Sequence, residues 1–137
     1  MATGASDVEV LDEQECLALL AATEVGRVGV AVDGQPLVFP VNYVFDDGSI
    51  IVRTNVGTML SAASLGHVAF EIDDFDATAR SGWSVMVQGV GHDITDSLDL
   101  KSERLQALEV SPWAPGSKPR LLRIDTTTVS GRRFGPA

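Results

Sequence analysis

The chain of 137 residues has a single cysteine, Cys16, which excludes an intramolecular disulfide and any zinc site built from several thiolates. Basic residues are also scarce: 10 Lys and Arg stand against 19 Asp and Glu, for a net charge of −9. A nucleic-acid binder needs a basic face that releases counterions, so nucleic acid is not an expected partner. The same deficit argues against an anionic membrane surface. No apolar run approaches the roughly 20 residues of a membrane-spanning helix. The opening residues are small and polar, without a basic stretch ahead of an apolar one, so a cytoplasmic location is expected. Catalytic and metal motifs are missing as well. His67 and His92 have no metal-ligand spacing, and Asp73, Asp74 and Asp76 begin like a calcium loop without its glycine and bidentate glutamate. No serine is framed as a nucleophile elbow, and no side chain stands out as a general acid or base. Any reaction would therefore have to be carried by a cofactor.

The sequence does have the apolar content of a globular protein, 45%, in a length suited to one domain. Residues 1–10 read as a flexible tail and residues 11–137 as the domain. Asp12 and Glu15 have the spacing of a capping box, with Leu11 and Cys16 at the staple positions of a helix reaching Ala22 or Thr23. Valine-rich Val25–Val32 and the return segment Gln35–Phe45 flank Asp33-Gly34, a hairpin turn signal. Pro40 places the return strand at an edge or a bulge. After a turn at Asp46-Asp47-Gly48 come a strand at Ser49–Arg53 and a short helix over Gly57–Ser64, capped by Thr54 or Asn55. Val68–Ile72 is a strand, Asp73–Arg80 an acidic loop, and Trp83–Thr95 a long strand with a bulge or bend at Gly89 and Gly91. A helix is expected at Ser97–Leu108, a rigid loop at Ser111–Gly116, and one or two closing strands over Pro119–Phe134. Hairpins joined by short turns favour an antiparallel, mainly β barrel.

Three segments can hold a ligand. Arg53-Thr54-Asn55-Val56-Gly57-Thr58 puts a guanidinium and two hydroxyls where a strand gives way to a helix, a setting for phosphate; the ordinary alternative is a solvated arginine beside capping residues. Gly57 lets a ligand approach the backbone. Trp83 and Ser84 at a strand mouth can cover a planar ring and bond its edge, or simply pack. Pro40-Val41-Asn42-Tyr43 can lie along a ring system, or be plain sheet.

Taken together with Gly26-Arg27-Val28-Gly29-Val30, Val68–Asp73 and Gly131-Arg132-Arg133-Phe134, these segments resemble the pyridoxamine 5'-phosphate oxidase-like flavoproteins, from about Leu11 to Phe134. The similarity is strongest to an actinobacterial branch that includes proteins like nitroimidazole reductases. The resemblance implies an FMN-binding split β-barrel and a homodimer with two cofactor sites at the subunit interface. It implies that Arg53, Thr54 and Thr58 hold the FMN phosphate, Pro40 to Tyr43 line the isoalloxazine, Trp83 and Ser84 close the site, and Trp113 reaches the partner's site. One position departs: a lysine usually follows the Gly-Thr pair, and here Met59 stands there. Loss of that ammonium weakens FMN affinity by roughly tenfold or more, or favours another cofactor. A deazaflavin is disfavoured by a chain whose only lysines are Lys101 and Lys118. The function implied is a flavin-dependent oxidoreductase passing hydride or electrons between a reduced cofactor and a small organic acceptor. The alternatives are a non-catalytic flavin, deazaflavin or haem binder, and a structural dimer with no cofactor.

Overall fold

A computed structural model describes residues 8–64, 66–96, 110, 112, 113, 116, 118 and 120–136. Its elements are β1 (Val8–Val10), α1 (Glu13–Ala22), β2 (Val25–Val32), β3 (Gln35–Asp46), β4 (Ser49–Thr54), α2 (Thr58–Ala63), β5 (His67–Asp76), β6 (Ser81–Asp93) and β7 (Arg120–Phe134). Every strand pair is antiparallel. The strands run in the order β1-β7-β4-β3-β2-β5-β6, and β6 pairs back onto β7. That last pairing closes six strands into a barrel, leaving β1 outside it, so the architecture is the expected mainly β split barrel. The expected helix at Ser97–Leu108 lies outside the described residues. Among the described residues no helix is long and apolar enough to cross a membrane.

Local chemistry explains the elements. Asp12 accepts a hydrogen bond from the Glu15 amide at 2.8 Å, and the Glu15 carboxylate accepts from the Asp12 amide at 3.2 Å, which completes the capping box of α1. The turns at Asp33-Gly34 and Asp47-Gly48 place both residues at positive φ, 51° and 78°, then 47° and 81°. That is the turn whose twist matches a two-residue hairpin. The bulge expected near Gly89 is present: Gln88 pairs with Thr128 and Gly89 with Thr126, so the register skips Thr127. β7 forms one unbroken closing strand.

Two expectations are corrected. Val8–Val10, assigned to the tail, pairs with Arg132–Phe134 of β7, because β7 runs on past its pairing with β4, which stops at Asp125, and offers that edge. Asp73–Asp76, assigned to an acidic loop, continues β5 opposite Ser81–Ser84, and the turn is confined to residues 77–80. A strand tolerates that run because Arg27 bonds both Glu71 (3.1 Å) and Asp73 (3.3 Å), and because Asp74 and Asp76 are exposed.

The main core fills the barrel with Val28, Ile50, Phe70, Ile72, Val85, Val87 and Ile124, backed by Leu20 of α1 and Leu60 of α2. A second, smaller cluster of Ile51, Ile94, Val110 and Leu121 covers the outer face of β4. β4 is thus buried on both faces, which is why Ser49-Ile50-Ile51-Val52 reads as a continuous run rather than an alternating one. Val110 ties the chain ahead of β7 to the outside of this strand.

Candidate functional site

The site follows from the way β3 divides its partners. Gln35–Asn42 pairs with β2, whereas Tyr43–Asp46 pairs with β4. Among the described residues, the second edge of the first half therefore has no ladder partner. This is the edge position expected for Pro40, whose ring nitrogen has no hydrogen to donate. In a ladder, alternate residues direct their backbone N–H and C=O away from the paired neighbour, so this edge offers hydrogen-bonding groups to a ligand.

Where β4 parts from β3, a cavity of about 360 Å³ opens. Phe39, Pro40, Val41 and Asn42 form one wall. Arg53, Thr54, Asn55, Gly57, Thr58, Met59 and Leu60 form the other, and Pro112 and Lys118 complete the lining. The structure thus gathers eight of the expected residues: Pro40, Val41, Asn42, Arg53, Thr54, Gly57, Thr58 and Met59.

This cavity has a cation without a carboxylate partner among the described residues, a condition that Arg80 and Arg132 share elsewhere. Arg27, Arg120, Arg123 and Arg133 are each held by nearby carboxylates. Among the described residues Arg53 enters no ion pair, although the chain is strongly acidic. A cation left available at a cavity is suited to an anion. The space over Gly57 is also open: a Cβ there would meet no protein atom closer than 3.9 Å. Its φ of 173° is ordinary extended backbone, so the glycine contributes room rather than a special conformation.

Other placements differ from expectation. Neither Thr54 nor Asn55 caps α2; Gly57 stands at the cap without a side-chain bond, and the Thr54 hydroxyl donates weakly to the Asn55 carbonyl at 3.4 Å. α2 has only six residues, so the anion-binding character rests on side chains. Met59 is 8% exposed and packs with Leu60 and Ala63 into the core, touching the cavity only along its edge. Tyr43 does not line the cavity. Strand alternation turns it inward, where its hydroxyl donates to the Leu20 carbonyl at 2.7 Å and its ring meets Phe70 edge-on at 4.8 Å. Burial pushes its phenol pKa upward.

Trp83 and Ser84 also lie elsewhere within the chain. Trp83 pairs with Arg133 while Thr54 pairs with Arg120, at opposite ends of β7. Ser84 lines a separate cavity of about 640 Å³ with Val10, Glu71, Met86 and Arg132. Trp113 is 71% exposed, but its backbone N–H donates to Asn42 Oδ1 at 2.8 Å, at the cavity wall. Phe39, Asn55, Leu60, Pro112 and Lys118 are additional lining residues. Pro40 and Arg53 point to Phe39 and Asn55 as neighbours, whereas the position of Lys118 depends on the path of the chain into β7.

Comparisons with known proteins agree with this geometry. The family model for pyridoxamine 5'-phosphate oxidase matches residues 12–133. An uncharacterized protein of Mycobacterium tuberculosis is 33% identical over 136 residues, covering 95% of this chain and 88% of its own length. The solved structure of an FAD-binding protein from Mycobacterium smegmatis is similar at 31% identity and a TM-score of 0.69, over 93% of this chain and 98% of that one. That of a Mesorhizobium loti FAD-binding protein is similar at 28% identity and a TM-score of 0.77, over 93% and 99% of the two chains.

Proposed function

The chain belongs to the pyridoxamine 5'-phosphate oxidase family, and from that premise we propose that it binds a flavin nucleotide between β3 and the β4–α2 turn and uses it as an oxidoreductase. The carrying observation is Arg53, which among the described residues enters no ion pair, in a cavity whose opposite wall is the apolar edge of β3 that has no ladder partner among those residues. Phosphate and planar ring make opposite demands, and this lining answers both. Arg53, Thr54 and Thr58 suit the phosphate through charge-assisted and hydroxyl hydrogen bonds. Phe39, Pro40 and Val41 suit the ring's apolar face, and the β3 backbone suits its polar edge. FMN and FAD share the phosphate next to the ribityl chain; FMN is what the family resemblance implies, and FAD is brought in by the two FAD-binding relatives.

When bound, a flavin accepts and passes on hydride or single electrons. The side chains here would orient it and exclude water, leaving one face to a small organic acceptor. We assign the protein to a homodimer with the site at the subunit junction. Val38 (67% exposed) and Val10 (81%) are apolar surface suited to a second copy. Such a copy is also the means by which Trp83, Ser84 or Trp113 could reach a bound ring.

The test has two stages. Purified protein should show the yellow absorbance of bound flavin or gain it on titration with FMN or FAD. The loaded protein should then reduce a quinone or nitro compound at the expense of a reduced nicotinamide or deazaflavin donor. Flavin uptake without turnover would leave a binding protein in place of the enzyme.

A further inference from the structure

Resting on that reading, we infer that Lys118 is a second cationic anchor for the phosphate of the ligand, acting beside Arg53 from the segment that leads into β7. The charge balance calls for one. A phosphate monoester carries about −1.5 to −2 charges near neutral pH, and one guanidinium neutralises only part of that. The rest of the chain opposes the anion, with a net charge of −9. The β4–α2 side has no second cation: Asn55, Gly57 and Thr58 are uncharged, and Met59 is apolar and buried.

Lys118 is positioned by the fold. Arg120 pairs with Thr54 in the β4–β7 register, so continuing upstream brings Lys118 opposite the turn that follows Thr54. The approach to that position is fixed at several points. Val110 is buried against Ile51 and Leu121 on the outer face of β4. The Trp113 amide is bonded to Asn42. Gly116, two residues before Lys118, sits at φ +103°, a conformation that suits glycine. Lys118 is partly buried at the cavity that Arg53 also lines. The ammonium missing at position 59 is thereby supplied by a different element. Arg53 comes from β4 and Lys118 from the segment just ahead of β7, the strand beside β4, so both cations reach the phosphate while the ring wall of β3 stays clear.

Removal of the Lys118 charge should weaken binding of the phosphate-bearing flavin and leave the phosphate-free one alone. The full chain, Lys118→Met and Lys118→Arg are titrated with FMN and with riboflavin, following quenching of flavin fluorescence at low and high salt, with a thermal melt of each variant. The expected result is that Lys118→Met loses about tenfold in FMN affinity, keeps its riboflavin affinity, and shows a shallower salt dependence, while Lys118→Arg retains most FMN binding. Lys118→Met that binds FMN as the parent does, with the parent still preferring FMN over riboflavin, would overturn the role of Lys118 and leave the flavin reading intact. Equal loss of FMN and riboflavin would also overturn it, reducing Lys118 to a structural part of the segment. A parent chain that binds neither compound would remove both the anchor and the flavin reading.

Discussion

Asn42 Oδ1 accepts a 2.8 Å hydrogen bond from the backbone N–H of Trp113. This bond joins the open edge of β3 to the segment that delivers Pro112 and Lys118 to the cavity. Asn42 is thus a strap for the site as well as part of its wall. A neutral hydrogen bond of this kind contributes about 0.5–1.5 kcal/mol. Asn42→Ala should therefore lower FMN affinity severalfold in an equilibrium titration while the melting temperature stays near the parent value, because water can satisfy the released amide at this accessible position. A large drop in melting temperature would place the bond in the fold rather than in the site.

Arg53→Ala should cost at least tenfold in FMN affinity, since a charge-assisted contact is worth about 1.5–3 kcal/mol. The circular dichroism spectrum should be unchanged, as Arg53 holds no carboxylate in the folded chain among the described residues. Unchanged affinity in this variant would remove the phosphate from the β4–α2 turn.

Gly91 faces the backbone of α2: a Cβ there would stand 2.1 Å from the Ala63 carbonyl oxygen. Gly91→Ala must push β6 and α2 apart and should destabilise the protein by roughly 1–3 kcal/mol, the range for overpacking. Thermal or urea unfolding reads this directly. Because Met59 and Leu60 of α2 line the cavity, flavin affinity should fall with stability. A stable variant with parental affinity would show that β6 and α2 can part without cost.

Glu71 carries a pH dependence. Burial first, then the hydrogen bond and charge of Asp73, push its pKa up to about 7 against the opposing pull of Arg27. A carboxyl whose folded value lies above its ordinary value of 4.5 contributes full stability below that ordinary value and loses it as pH climbs through about 7. Glu71→Gln, fixed in a neutral form, should therefore melt at a higher temperature than the parent above pH 7, with the difference vanishing toward pH 4.5. A parent more stable than the variant at high pH would mean that the bond to Arg27 outweighs the burial of charge.

Much of this fold is legible because the signals are local. The Asp12–Glu15 box, the Asp33-Gly34 and Asp47-Gly48 turns and the Gly89 bulge each follow from a few adjacent residues whose backbone needs are specific. What escapes is set by distant partners. Val8–Val10 becomes a strand only because β7 extends past its pairing with β4. Asp73–Asp76 stays in a strand because Arg27, on another strand, offsets its charge. The site divides along the same line. Arg53, Thr54 and Thr58 are readable from one short segment. The inward turn of Tyr43 is settled by Leu20 and Phe70, and the arrival of Lys118 by the pairing of Arg120 with Thr54. Neither relationship is contained in the residues beside it.

The central claim, that the cavity between β3 and the β4–α2 turn holds a flavin nucleotide by its phosphate, is tested most directly by denaturing the purified protein and identifying the released small molecule by mass spectrometry. The account predicts FMN or FAD, in an amount approaching one per chain and sharply reduced in Arg53→Ala. A preparation that releases no flavin, and takes up neither FMN nor FAD when they are added, would contradict it.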